Sequence, residues 1–94
     1  MIDEHKIIRK EIHFEGRVQG VGFRYTAKYA ASGCGVTGWV KNEWDGSVLM
    51  EAQGTNSQIN EMLKLINQGR YIRIDNIAYH EIPVDESERG FHVR

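Results

Sequence analysis

A change of hydrophobic period across a run of glycines limits what this chain can fold into. From His5 to Glu15 the residues alternate, with Ile8, Ile12 and Phe14 on one side and Arg9, Glu11, His13 and Glu15 on the other. That is the pattern of a half-buried strand. Gly16 to Gly22 then holds three glycines, and after it the period becomes helical: Phe23, Ala27, Ala30, Ala31 and Cys34 recur at i, i+4, i+7, i+8 and i+11. Gly33-Cys34-Gly35 stops the helix. A strand that turns directly into a helix through glycine must send the chain back over one face of a sheet.

The rest of the chain continues in the same manner. Val36 to Glu43 reads as a second strand and Ser47 to Gln53 as a third, joined by Trp44-Asp45-Gly46, so the pair is a hairpin. Thr55 and Gln58 have capping-box spacing ahead of the stripe Ile59, Met62, Leu63 and Ile66, with Gly69 just beyond the helix end. Tyr71 to Ile82 is a less cleanly patterned fourth strand closed by Pro83, and Phe91 to Arg94 is a short last one. The order β-α-β-β-α-β plus a terminal strand predicts an α+β, ferredoxin-like sandwich: a mostly antiparallel sheet with both helices on one face. With 94 residues the chain suits a single domain over 1–94, with residues 1–5 as a flexible tail.

Composition removes several function classes. One cysteine, Cys34, permits neither an internal disulfide nor a thiolate cage for a metal. His5, His13, His80 and His92 lack metal-ligand spacing and are expected on strand faces or the surface. No apolar run is long enough for a membrane span or a signal peptide. Twelve basic against thirteen acidic residues give no broad field for nucleic acid. The expectation is a soluble, cytoplasmic, monomeric protein with neither nucleic acid nor membrane as a partner.

Chemistry concentrates at the first strand-to-helix junction, Gly16-Arg17-Val18-Gln19-Gly20-Val21-Gly22-Phe23-Arg24. Glycines there serve either a tight turn or a backbone cradle whose amides converge on an anion. The helix N-terminus adds free donors, and Arg24 adds a planar cationic fork suited to phosphate. A cation in the first helical turn also opposes the helix dipole, which costs about 0.3–1 kcal/mol and marks the position as unusual. The first two strands of a β-α-β unit run the same way, so Asn42, near the end of the second, reaches the same sheet edge. Asn42 reads either as a cap for the following turn or as a residue that holds a water. Trp39, Trp44, Tyr25 and Tyr29 are expected to pack in the core or its rim, with contact to an acyl group as the alternative. Gly38 has no evident role in the sequence.

These residues carry a resemblance. The nine-residue loop, followed by Gly38-Trp39-Val40-Lys41-Asn42 and Asp45-Gly46, resembles the acylphosphatases, and the likeness runs from about Lys6 to Val93. It implies hydrolysis of carboxyl-phosphate anhydrides to a carboxylate and inorganic phosphate, with no metal and no cofactor. It implies that Arg24 and the amides of Gln19, Gly20, Val21, Gly22 and Phe23 bind the phosphoryl group of a small acyl phosphate. It also implies that Asn42 positions the attacking water. Glu43-Trp44 departs from the family's smaller or less acidic residues after the asparagine. Two other readings stand beside it: a nucleic-acid module on a similar sandwich, and a relative that binds an acyl phosphate inside a larger assembly.

Overall fold

A computed structural model describes residues 4–94. Residues 1–3 of the expected tail lie outside the described residues; Glu4 and His5 form an exposed turn. The elements are β1 (Ile7–Arg17), α1 (Phe23–Cys34), β2 (Thr37–Asn42), β3 (Val48–Thr55), α2 (Asn56–Asn67), β4 (Arg73–Ile82) and β5 (Phe91–Val93). They form one five-stranded sheet of order β4-β1-β3-β2-β5, antiparallel except for the β2–β5 pair. This is the ferredoxin-like sandwich with its extra terminal strand.

Alternation along the strands builds the core. Ile12 and Phe14 of β1, Val40 of β2, and Val48, Met50 and Ala52 of β3 are completely buried on one sheet face. Both helices pack there, α2 through Ile59, Met62 and Ile66, and α1 through Phe23, Ala27 and Ala31. The alanines keep α1 close to the sheet, and Phe23 meets Phe14 edge to face at 4.9 Å between ring centres. Such a pair adds about 0.5–1.5 kcal/mol beyond its buried area. Thr55 caps α2 with the reciprocal bonds of a capping box, as the spacing predicts.

Strand limits shift from the sequence expectation in informative ways. β1 runs on to Arg17 because Gly16 still pairs with Ile74 of β4, beyond a register slip after Glu15. Gly16 therefore belongs to the sheet rather than to the loop cradle; a Cβ there would overlap the Arg73 carbonyl. Gly38 now has a physical reason. Its φ is +144°, and a Cβ would sit inside the Glu51 carbonyl of the neighbouring strand.

The other sheet face carries the polar side chains of β1, and part of it is covered. β4 and β5 lie on opposite edges, so the connection 83–90 must cross the sheet away from the helices. It crosses over Arg9, whose residue exposure is only 3%. Arg9 donates from Nη1 and Nη2 to the two Glu88 carboxylate oxygens at 2.8 and 2.9 Å, and from Nε to Glu51 at 2.9 Å. Gln53, opposite Arg9 in register, accepts from Arg9 at 3.1 Å and exchanges two bonds with the Asp85 backbone. Alternation places Arg9 on the polar side correctly, but a sequence does not show that a later segment will cover it.

Gly38→Ala is expected to destabilise the fold by at least about 2 kcal/mol, since it combines a disfavoured φ with backbone overlap. Urea unfolding of the two proteins measures this. An unchanged midpoint would mean that the β2–β3 contact is not as close as described.

Candidate functional site

The loop between β1 and α1 is built by its own two ends. Val18 is 1% exposed and plugs the core, while Val21 packs partly against it. Between and after them Gly20 and Gly22 adopt left-handed φ values of +73° and +79°. Nothing lies within 4 Å of a Cβ at either position, so conformation rather than space requires glycine there. Gly22 is also the N-cap of α1. It has no side chain to cap with, and the first turn holds no acid. The first amides of α1 thus have no protein side chain as acceptor and remain donors.

Arg24, in that first turn, donates from Nη1 to the Arg94 carbonyl at 2.9 Å. Arg94 follows β5, and its own N–H is bound to the Val40 carbonyl of β2 at 2.8 Å. One arm of the Arg24 fork is pinned by that backbone oxygen, and no Asp or Glu side chain among the described residues pairs with Arg24. Asn42, the last residue of β2, is exposed. β3 lies between β1 and β2, as the topology requires, and Phe14, Val48 and Asn42 share one row across the three strands. Arg24 and Asn42 line one cleft of about 180 Å³, together with Val18, Gly20, Gly22, Phe23 and Tyr25. The sequence-predicted residues Gly20, Gly22, Phe23, Arg24 and Asn42 therefore meet there. A larger hollow of about 680 Å³ lies against α2, beside Asn56, Asn60 and Lys64, and shares none of those residues.

Gln19 and Val21 do not line the cleft. The Gln19 side chain has a different partner, which sequence reasoning missed. Its Nε2 donates to the Glu43 and Ser47 carbonyls at 2.7 and 2.8 Å. It thereby ties the glycine loop to the turn that follows Asn42. That turn is closed by Glu43 N–H to the Ser47 carbonyl and by Ser47 N–H and Oγ–H to Asp45 Oδ1. The two Ser47 bonds, hydroxyl first, hold the Asp45 carboxyl below its ordinary range. The sign follows: the turn gains from Asp45 above the ordinary carboxylate pKa and loses that gain as pH falls through the depressed one.

His13, on β1, lies 2.8 Å from Ser47 Oγ and 3.6 Å from a Glu15 oxygen. The trio has the outline of a nucleophilic triad, but the proton directions exclude it. Ser47 gives its proton to Asp45, so His13 donates from Nε2 and cannot act as a base toward that oxygen. Ser47 is also only 4% exposed. Cys34 offers no nucleophile either, because burial and then Glu61 push its thiol pKa up. Among the described residues no group of three or more His, Cys, Asp and Glu could hold a metal.

The aromatic expectation needs correction. Trp44 is 96% exposed at the hairpin tip and packs in neither core nor rim. Tyr25 and Tyr29 are also exposed, and Tyr25 rims the cleft. Trp39 is half-buried, with Arg94 over its ring at 4.8 Å and Lys41 at 5.7 Å. The acidic departure Glu43 is partly offset by Lys41 at 3.9 Å.

With this geometry in hand, the likeness to known proteins is decisive. Residues 10–93 match the acylphosphatase family model. The chain belongs to the acylphosphatase family. It is 42% identical over 90 residues to an acylphosphatase of Bifidobacterium longum, covering 94% of this chain and 93% of that one. It is 43% identical over 86 residues to one of Clostridium perfringens, covering 90% and 97%. The crystal structure of acylphosphatase from Bacillus subtilis superposes with a TM-score of 0.85 at 31% identity, covering 93% of this chain and 98% of that one. As a member of that family it is a hydrolase of acyl phosphates.

The Gln19 clamp makes a prediction for this family member. Gln19→Ala removes two donors and should lower acyl phosphate turnover roughly tenfold while the protein stays folded. Gln19→Glu should be worse, since a carboxylate faces two carbonyl oxygens with nothing to donate. Hydrolysis rates and melting curves of the three proteins check the order.

Proposed function

We propose that the cleft between the glycine loop and the end of β2 hydrolyses acyl phosphates by in-line attack of water, without metal or cofactor. The observation that carries this reading is the meeting of Arg24, Asn42 and the uncapped start of α1 in one cleft. The amides of Gln19 to Phe23 and the free N–H groups of Arg24 hold the three phosphoryl oxygens. Only one of the five Arg24 donors is engaged by Arg94, which leaves a bidentate edge for phosphate. Asn42 holds the water by its amide oxygen on the side opposite the leaving carboxylate.

The reaction asks little more of the protein. The leaving group is a carboxylate whose conjugate acid has a pKa of about 4, so it departs unprotonated. Charge on the transferring group is then the main burden, and fixed donors meet it without reorganisation. Asn42 cannot accept a proton as a base, so the water's proton passes to a phosphoryl oxygen. The enzyme works as a monomer in the cytoplasm on small acyl phosphates. The near-equal charges, 12 basic and 13 acidic, speak against nucleic acid as a partner. No helix among the described residues is long and apolar enough to cross a membrane.

The purified protein with a chelator present should hydrolyse benzoyl phosphate and leave phosphate monoesters intact. Arg24→Ala should abolish both phosphate binding and turnover. Asn42→Ala should reduce turnover by at least roughly a hundredfold and leave phosphate affinity nearly unchanged. Full turnover in Asn42→Ala would remove the water-holding role. Phosphate binding by the unmodified protein with no turnover would favour a binding relative over an enzyme.

A further inference from the structure

We propose that Arg9, on the sheet face away from the cleft, is a positioning residue for Arg24. It acts through the strap 83–90 and β5. The inference rests on the reading that Arg24 binds the phosphoryl group.

The connection can be traced bond by bond. β4 and β5 are separated by four strand spacings, roughly 19 Å at about 4.8 Å each. The strap that spans them has about eight residues, which reach no more than roughly 28 Å when fully extended. A turn closed by Glu88 N–H on the Asp85 carbonyl at 3.3 Å takes up part of that reach, so the strap's midpoint governs where its end is delivered. That midpoint is the Arg9 network: Glu88 held at both carboxylate oxygens, and Asp85 held at both backbone groups by Gln53. At its end the Gly90 carbonyl accepts from Gly38 N–H at 3.0 Å, and Phe91 to Val93 pair with residues 38 to 40 of β2. Arg94 then places its carbonyl on Arg24 Nη1 at 2.9 Å. No Asp or Glu side chain among the described residues pairs with Arg24, so that Arg94 oxygen is the protein partner which fixes its fork beside the cleft. Glu88, Glu51 and Gln53 take four of the five Arg9 N–H donors, and Arg9 is too buried to meet a ligand. Its effect on the site can only be transmitted.

A loosened strap makes Arg24 correctly placed for only part of the time. Apparent affinity for any ligand of Arg24 then falls by that fraction, and it falls equally for substrate and for phosphate. The signature is a raised KM with a little-changed kcat, because ground state and transition state lose the same contact. General loss of folded protein would instead lower kcat.

The test uses benzoyl phosphate hydrolysis and inhibition by inorganic phosphate, at a temperature where circular dichroism shows each variant folded. Arg9→Met is expected to raise KM and the phosphate inhibition constant together, roughly fivefold, with Arg9→Lys between it and the unmodified enzyme. In an Arg24→Lys background Arg9→Met should add nothing further. The proposal is overturned if folded Arg9→Met keeps full phosphate affinity, or if its effect is the same in both backgrounds. Should Arg9→Met not fold, Glu88→Gln keeps Arg9 paired with Glu51, weakens the strap bond, and meets the same two outcomes. Arg24→Ala, measured in parallel, separates the two readings. Retained phosphate binding there removes the role of Arg24 itself. Lost binding there, beside an unaffected Arg9 variant, removes only the role of the strap.

Discussion

Insertion of β3 between β1 and β2 is the constraint on which the site depends. It makes the two outer strands parallel, so their C-terminal ends share an edge, but it also holds them two spacings apart, about 10 Å. The glycine loop stands at one end and Asn42 at the other. A phosphoryl group is too small to be gripped from both without something that fixes the gap. The Gln19 carboxamide spans it on one side by holding both carbonyls of the 43–47 turn. Arg24 and the Arg94 carbonyl span it on the other, since Arg94 is itself bound to β2. The cleft is the space left between these two ties.

This explains why the close contact at Gly38 matters to a site it never touches. β2 must lie near β3 on one edge and accept β5 on the other. At Gly38 the neighbouring Glu51 carbonyl occupies the space of a side chain, while its N–H binds Gly90. Loss of that approach would move β2, and with it Asn42 and the anchor of Arg94.

Local chemistry was readable in the sequence, and meetings between distant segments were not. The period change at Gly16 to Gly22, the capping box of Thr55 and Gln58, and the hairpin at Asp45-Gly46 are local, and each forms as its residues dictate. Arg24 and Asn42 could be brought to one edge because β-α-β topology alone decides it. The Gln19 side chain could not be placed, because its partners lie 24 and 28 residues away and are backbone carbonyls, which any residue supplies. The cover over Arg9 comes from 79 residues away. Trp44 misled because a large aromatic ring in a small domain is ordinarily buried, whereas a hairpin tip has nothing to pack against.

The two arginines show how environment divides one side chain into two tasks. Arg9 is out of water, so it must be paired, and two carboxylates and an amide oxygen take four of its five donors. An ion so satisfied has no attraction left for a substrate and can only hold structure. Arg24 meets one backbone oxygen, that of Arg94, at the positive end of a helix, where a cation is least welcome. That misfit is relieved when an anion enters the cleft, because the amides, the helix end and the guanidinium all gain the same partner at once. A side chain gripping Arg24 at two nitrogens, as Glu88 grips Arg9, would have occupied the place of the phosphate. One bond at Arg24 and four at Arg9 thus both serve a backbone-built anion site in so small a fold.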